Sequence, residues 1–289
     1  MRVLLFGASS QIGHFLLPRL LARHIEVWAL SRQARLDQPG VHWLRGALPD
    51  TGPDWPDGFA FIPDALLSMG PLDALATWLE RIPLGVAAGM HIVATSSMSA
   101  VSKQDSPDPQ ERAMVARLCA AEQRLAVCCQ RQGWSWFVLR PTLIYGSGMD
   151  HSLTPIARRA MRWRVFPLPN GRGLRQPVHA DDLARALLTA LERPASGGRV
   201  LAFGGGERLT AAAMFARVRD SLPVFTVALP VPLVVMRLTA LGQPRWRGPI
   251  GRLQQNLIAD NEESVRLLGV EPRGFAPDAA AFGLSLDGP

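Results

Sequence analysis

Lysine is nearly missing from this chain. Lys103 is the one lysine among 31 basic residues, and Tyr145 is the one tyrosine in 289 residues. Any chemistry that needs either side chain therefore has a single place to find it. Cysteine is also scarce. Cys119, Cys128 and Cys129 make an odd set without metal-ligand spacing, and Cys128 and Cys129 sit in a helical pattern that reads as buried thiols. Free thiols fit a reducing, cytoplasmic location. There is no His-x-x-His, no Cys-x-x-Cys and no grouped carboxylates, so no metal site is expected. No uncharged apolar run reaches the roughly 18 residues of a membrane span. The opening apolar run stops at Gly7 without a cleavage-like site, so no signal peptide is expected.

The net charge is +7 and almost all of the positive charge is arginine. Such a skew reads as codon bias. The arginines are scattered and not interleaved with aromatics, so nucleic acid is not an expected partner.

The opening carries the clearest signal. MRVLLF is a short apolar run, Gly7-Ala8-Ser9-Ser10-Gln11-Ile12-Gly13 a small-residue turn, HFLLPRLLARH an amphipathic segment, and IEVWALSR a second apolar run. That is a strand, a turn, a helix and a strand. Glycines let backbone approach a ligand, and free amides at a helix start attract phosphate. The turn is expected to cradle a dinucleotide diphosphate through Gly7, Ser9, Ser10, Gln11, Ile12 and Gly13. About 20 residues on, where NAD-specific sites place an acid, the chain has Ser31-Arg32 and then Arg35. An arginine there pairs with a ribose 2′-phosphate, which favours NADP over NAD.

Further strands are predicted at Glu26–Leu30, Val41–Leu44, Ala65–Ser68, His91–Thr95, Ser135–Leu139 and Val200–Phe203. Helices are predicted at Ile12–Arg23, with Pro18 kinking it, and at Leu72–Glu80, Gln110–Gln132 and Asp181–Glu192. The alternation predicts an α/β, Rossmann-like doubly wound parallel sheet. Asp50–Pro63 and Ser102–Pro109 read as loops, and Gly204-Gly205-Gly206 as a flexible break before a smaller C-terminal substrate lobe. The expected division is 1–165 for the dinucleotide-binding domain, completed by 177–203, and 204–289 for the lobe, with 166–176. Val224–Leu241 is strongly apolar, broken by Pro230, Pro232 and Arg237. It reads as lobe core, with membrane-surface contact the sharper alternative.

Four motifs in order, GASSQIG, TSS, LRPTLIYGSG and RQPVHADDLARAL, together with the tail NLIADNEESVRLLGVEPRGFAP, resemble the extended and atypical short-chain dehydrogenase/reductases, nearest to the NAD-dependent epimerase/dehydratases of nucleotide sugars. The resemblance implies that Ser68, Met69 and Thr95 border the cofactor, that Pro141 and Thr142 flank the nicotinamide, that Ser97 is the catalytic hydroxyl, and that Arg175 grips a substrate diphosphate. It also implies a dimer through the long helix, where Ala113, Val115, Ala116, Leu118 and Leu125 supply apolar surface. The family's Tyr-x-x-x-Lys pair is absent. Its positions fall on Met114 and Leu118, which carry no titratable proton near neutrality. Ala47 replaces an Asp that contacts adenine in relatives.

Two readings follow. One is an NAD(P)-dependent reductase, epimerase or dehydratase acting on a nucleotide sugar or another polar carbonyl, with Ser97 and Tyr145 as candidate proton donors and Arg117 as an electrostatic stand-in for the lysine. The other is a non-catalytic NADP(H)-binding sensor or assembly protein. His179-Ala180-Asp181-Asp182 reads as a helix start, with an acid/base cluster as the alternative. His14 and His91 read as an exposed and a buried, satisfied histidine.

Overall fold

A seven-stranded, all-parallel sheet runs through the chain in the order β11-β6-β5-β4-β1-β2-β3. These strands are β1 (Arg2–Phe6), β2 (Glu26–Ser31), β3 (Val41–Arg45), β4 (Ala65–Ser68), β5 (His91–Thr95), β6 (Ser135–Pro141) and β11 (Gly198–Phe203). The computed structural model describes residues 1–48, 63–85, 88–106, 108–194, 197–231 and 253–284. Most of the loop expected over Asp50–Pro63, and residues 232–241 of the apolar stretch, lie outside them.

Because side chains alternate along a strand, β1 feeds two cores. Val3 and Leu5 join Leu16 and Leu20 of α1 (Gly13–Ala22) and Leu183 and Leu187 of α6 (Ala180–Glu192) on one face. Leu4 and Phe6 join Leu75 of α2 (Leu72–Leu79) and Leu125 of α4 (Pro109–Gln132) on the other. Burial on both faces explains why the strands read as continuous apolar runs. Each such leucine contributes about 1.5–3 kcal/mol. The long α4 is bounded as its sequence dictates. Asp108 accepts from the Gln110 amide at 2.9 Å, Pro109 takes the first turn, and Gly133 closes the helix at φ 69°. Pro18 does not end α1, which runs through it.

A third core forms the lobe. It gathers Phe166, Met214, Phe275 and Phe282, with Leu153, Ala157 and Ala160 at and along α5 (Thr154–Trp163). This core includes residues of α5, which precedes residue 165. Its strands are short and were not expected: β7 (Ile144–Tyr145) pairs with β10 (Val178–His179), β9 (Leu174–Arg175) with β12 (Leu209–Thr210), and β8 (Val165–Pro169) with β13 (Val227–Val231). Two helices complete the described chain, α7 (Ala211–Asp220) and α8 (Glu262–Leu268).

Gly204–Gly206 is not a loose break. A Cβ on Gly205 would lie 2.0 Å from the Pro177 oxygen and one on Gly206 2.1 Å from the Pro272 oxygen. The glycines let the tail close against the sheet edge, where buried Gln176 donates to the Gly205 oxygen at 2.7 Å and accepts from the Ala259 amide at 2.8 Å.

Candidate functional site

The strand order turns between β1 and β4, which leave in opposite directions from the carboxyl edge of the sheet. Open α/β sheets bind ligands at such a point. The Gly7–Gly13 turn occupies it. Gly7 takes φ 87° against Met69, and the Ser10 amide donates to the Gly7 oxygen at 2.9 Å. Ser10 Oγ accepts from the Gly13 amide at 3.1 Å. A Cβ on Gly13 would stand 2.4 Å from the oxygens of both Gly7 and Ala8. That position therefore requires glycine on packing grounds alone. Among the described residues, the amides of Gln11 and Ile12 enter no backbone hydrogen bond, so they remain available at the mouth of α1.

Two cavities meet on this turn. One, about 680 Å³, is lined by Ala8, Ser9, Ser10, Gly13, His14, Arg35 and Trp43 with other residues of α1 and the β2–β3 connection. The other, about 260 Å³, holds Ser10, Gln11, Ile12, Met69, Gly70, Thr95, Ser96, Leu118, Pro141 and Ile144. Ser10 belongs to both. Of this lining, Ser9, Ser10, Gln11, Ile12, Gly13, Arg35, Met69, Thr95 and Pro141 are cofactor neighbours expected from the sequence; Trp43, Gly70, Ser96, Ile144 and Met149 are among those that are not. The tandem serines after β5 gave no means of choosing between neighbours.

The first cavity has no acidic lining residue. Arg35 lies over the Trp43 ring at 4.7 Å, a cation–π contact that holds the guanidinium at the rim. Arg32 is exposed and lines neither cavity; Ser31 is buried and its Oγ accepts from the Gln33 amide at 3.2 Å. His14 is exposed at the cavity edge.

The second cavity has an unusual back wall. Leu118 lies in it, at the position where the resemblance places a lysine. Beside it Ser96 Oγ donates to Glu122 at 2.6 Å. Glu122 is buried and also takes two hydrogen bonds from Arg140, one of 2.9 Å from Nε and a second from the guanidinium terminus. The ion pair raises the Arg140 pKa, with the Glu122 hydrogen bond as main cause. Ser97 turns elsewhere: its Oγ accepts from the Ser99 amide at 3.1 Å, at the start of the short α3 (Ser99–Ser102). Ser68 is buried with no partner for its Oγ among the described residues, and so is the side-chain oxygen of Gln11. Thr142 donates to the Gln176 oxygen and does not line the cleft.

Three groups of residues singled out from the sequence stand apart from the two cavities or only partly meet them. Tyr145 is 1% exposed, packed edge-on against Phe275 and His179 in the lobe core. Burial pushes its pKa up to about 12, against a backbone hydrogen bond at Ala276 that lowers it. It lines neither cavity. Arg175 is 5% exposed and donates to the oxygens of Leu174 and Gln255 at 2.8 and 2.7 Å. It ties β9 to the segment around Gln255, and burial lowers its pKa to about 10. Of the residues read as a dimer face, Val115 and Leu125 are buried within the chain and Leu118 lines the cleft, which leaves Ala113 and Ala116 outside; Arg117 is exposed too.

The His179–Asp182 cluster is a helix start tied to the tail. His179 caps α6, accepting from the Asp181 amide at 3.1 Å. Arg273 bonds Asp181 and Asp182 at 2.8 and 2.9 Å, and Arg19 reaches Asp181 at 2.5 Å. His91 is buried between Ser135 Oγ at 2.7 Å and the Ala190 oxygen at 2.9 Å. Among the described residues no group of His, Cys, Asp and Glu could hold a metal, and no helix is long and apolar enough to cross a membrane.

Residues 88–204 match the model of the NAD dependent epimerase/dehydratase family. They contain β5, α4, β6 and α6, and hence Ser96, Leu118, Glu122 and Arg140. The UDP-glucose 4-epimerase of Vibrio cholerae is 26% identical over 171 residues, 56% of this chain and 51% of that protein. The mitochondrial NADH dehydrogenase [ubiquinone] 1 alpha subcomplex subunit 9 of Dictyostelium discoideum is 34% identical over 73 residues, 25% of this chain and 20% of that protein. The matches thus span about half and about a fifth of the curated relatives. The structure of MoeE5 in complex with UDP-glucuronic acid and NAD superimposes with a TM-score of 0.71 at 20% identity, over 97% of both chains. The Rossmann-like parallel sheet of the epimerase/dehydratases is therefore the fold of this chain.

Proposed function

We propose that this chain binds a pyridine dinucleotide across the Gly7–Gly13 turn and acts as an oxidoreductase or epimerase-like protein on a nucleotide sugar or another polar carbonyl compound, with a nonstandard active site. One observation carries the reading: two cavities of dinucleotide scale meet at Ser10, where the Gln11 and Ile12 amides are available. A diphosphate at the junction sends adenosine toward Trp43 and nicotinamide toward Thr95 and Pro141. The buried, unpartnered Ser68 Oγ fits such a group. When bound, the cofactor would accept or donate hydride.

Arg35, at a cavity whose lining holds no acid, supports NADP in preference to NAD. In the second cavity the chain supplies hydroxyls. Ser97 is the hydroxyl the family resemblance assigns to the reacting oxygen. Ser96 is the hydroxyl that lines the cleft and already donates to Glu122, a carboxylate paired with Arg140.

A second reading has its own support. Leu118 puts an apolar side chain where the relatives' pattern has its lysine, Tyr145 is packed away, and one relative is a subunit of an NADH dehydrogenase. These favour a non-catalytic NADP(H)-binding sensor or assembly protein. Titration with NADPH and NADH, followed by a nucleotide-sugar and carbonyl panel, separates the two. Cofactor oxidation that Ser97→Ala or Ser96→Ala slows at least tenfold supports the enzyme. Tight binding without turnover across the panel supports the sensor, and no binding of either dinucleotide defeats both.

A further inference from the structure

The two-stranded sheet β8–β13 is apolar on both faces. Alternation along an exposed pair should put polar groups outward once one face is buried. Phe166 is buried and its partner Ala228 is half-buried, yet the outward positions are Val165, Pro167, Val227 and Leu229. Val227 and Leu229 are more than half exposed. Two aromatic side chains extend the patch, Trp163 at 64% exposure and Phe225 at 80%. The register fixes their proximity. Val227 pairs with Val165, and the Val227 amide donates to the Arg164 oxygen at 2.8 Å, which sets Phe225 and Val227 beside Trp163 and Val165. Arg164 takes φ 57° there, turning the chain from α5 into β8.

The patch is rimmed by positive charge with little to balance it. Arg159, Arg162 and Arg164 are exposed on the same segment, and the Arg219 Nε reaches the Thr226 oxygen at 3.4 Å. Residues 151–180 contain no Asp or Glu, and neither do residues 221–259. Asp220, next to Arg219, is the nearest acid in sequence to β13.

We infer that this face docks on an anionic lipid bilayer surface. Aromatic and aliphatic side chains would enter the headgroup boundary, and the arginines would extend their stems over it to reach lipid phosphates. A rim on which Arg159, Arg162, Arg164 and Arg219 outnumber the one acid beside it, Asp220, matches a sheet of negative charge, whereas a second copy of this chain would bring the same arginines and be repelled. The inference is independent of the dinucleotide reading.

The test is co-sedimentation of the full chain with vesicles of neutral phosphatidylcholine and with vesicles in which about a third of the lipid is phosphatidylglycerol. Binding is expected to the anionic vesicles only and to weaken with salt. Reversing Arg159 and Arg162 together to Glu should lower it at least roughly thirtyfold, from about tenfold per 1.4 kcal/mol and about 1 kcal/mol per basic residue at such a surface. Trp163→Ser with Phe225→Ser should lower it without changing the melting temperature or NADPH affinity, since both side chains are exposed. Equal binding to both vesicle types, binding to neither, or self-association abolished by the same substitutions would each overturn the inference, the last in favour of a second copy. Loss of NADPH binding in the unmodified chain would overturn the functional reading and leave this one standing.

Discussion

Replacing Arg140 with leucine should be among the most damaging single changes outside the apolar core. The guanidinium holds both oxygens of Glu122, whose side chain is 6% exposed against 23% for Arg140. Leucine fills much of the volume but leaves a carboxylate in the protein with only Ser96 Oγ to meet it. Breaking a buried pair costs about 3–5 kcal/mol. The partial exposure of Arg140 lets water reach one side, so the lower end, about 3 kcal/mol, is expected. For a chain of this size that corresponds to a fall in Tm of roughly 6–12 °C. Urea denaturation followed by circular dichroism measures it directly, with the double variant Glu122→Leu/Arg140→Leu as the internal control. Removing both charges removes the stranded one, so the double variant should recover at least about half of the loss. A single-variant cost below about 1 kcal/mol, or a double variant no more stable than the single, would refute the view that the pair is a closed unit behind the cleft.

Other outcomes follow from the same geometry. Tyr145→Phe should leave any cofactor turnover within twofold and cost about 1 kcal/mol of stability, because its hydroxyl serves the lobe core; a tenfold loss of activity at unchanged stability would restore it to the cleft. Burial lowers the pKa of His91, and of His179, so the folded state favours neutral imidazole. Their contribution is fully present above the unfolded pKa near 6.5 and is lost as the pH falls toward the lowered folded values. Stability should therefore decline below about pH 6.5, and His91→Gln should flatten that decline in a pH series of urea midpoints; an unchanged slope would contradict the assignment. Arg35→Ala should weaken NADPH more than NADH by about tenfold in calorimetric titrations, and an equal loss for both would show that Arg35 reads no phosphate.

The parallel sheet was legible because its strands are buried on both faces and therefore stand out as apolar runs, and because α4 carries its own stop signals in Asp108, Pro109 and Gly133. The lobe strands were not. Leu174–Arg175 or Leu209–Thr210 are two residues long, and their pairing is set by the Gly204–Gly206 junction and by Gln176, contacts distant in sequence. In the site, the glycine turn could be read because its backbone geometry restricts residue type. Ser96 could not be told from Ser97, since which serine faces the cleft depends on where β5 ends by a single residue. Tyr145 drew attention by being unique, yet uniqueness says nothing of burial, and Phe275, which encloses it, lies 130 residues on. The outward apolar face of β8–β13 was hidden for a related reason: an apolar strand in sequence carries no mark of which side meets solvent.

The direct test of the whole account is the electron density of crystals grown with NADPH. The account predicts a diphosphate at the Ser10 junction, within hydrogen-bond distance of the Gln11 and Ile12 amides, with the two ring systems in the two cavities. A well-ordered dinucleotide seated anywhere else, or an empty junction at saturating NADPH, would contradict it.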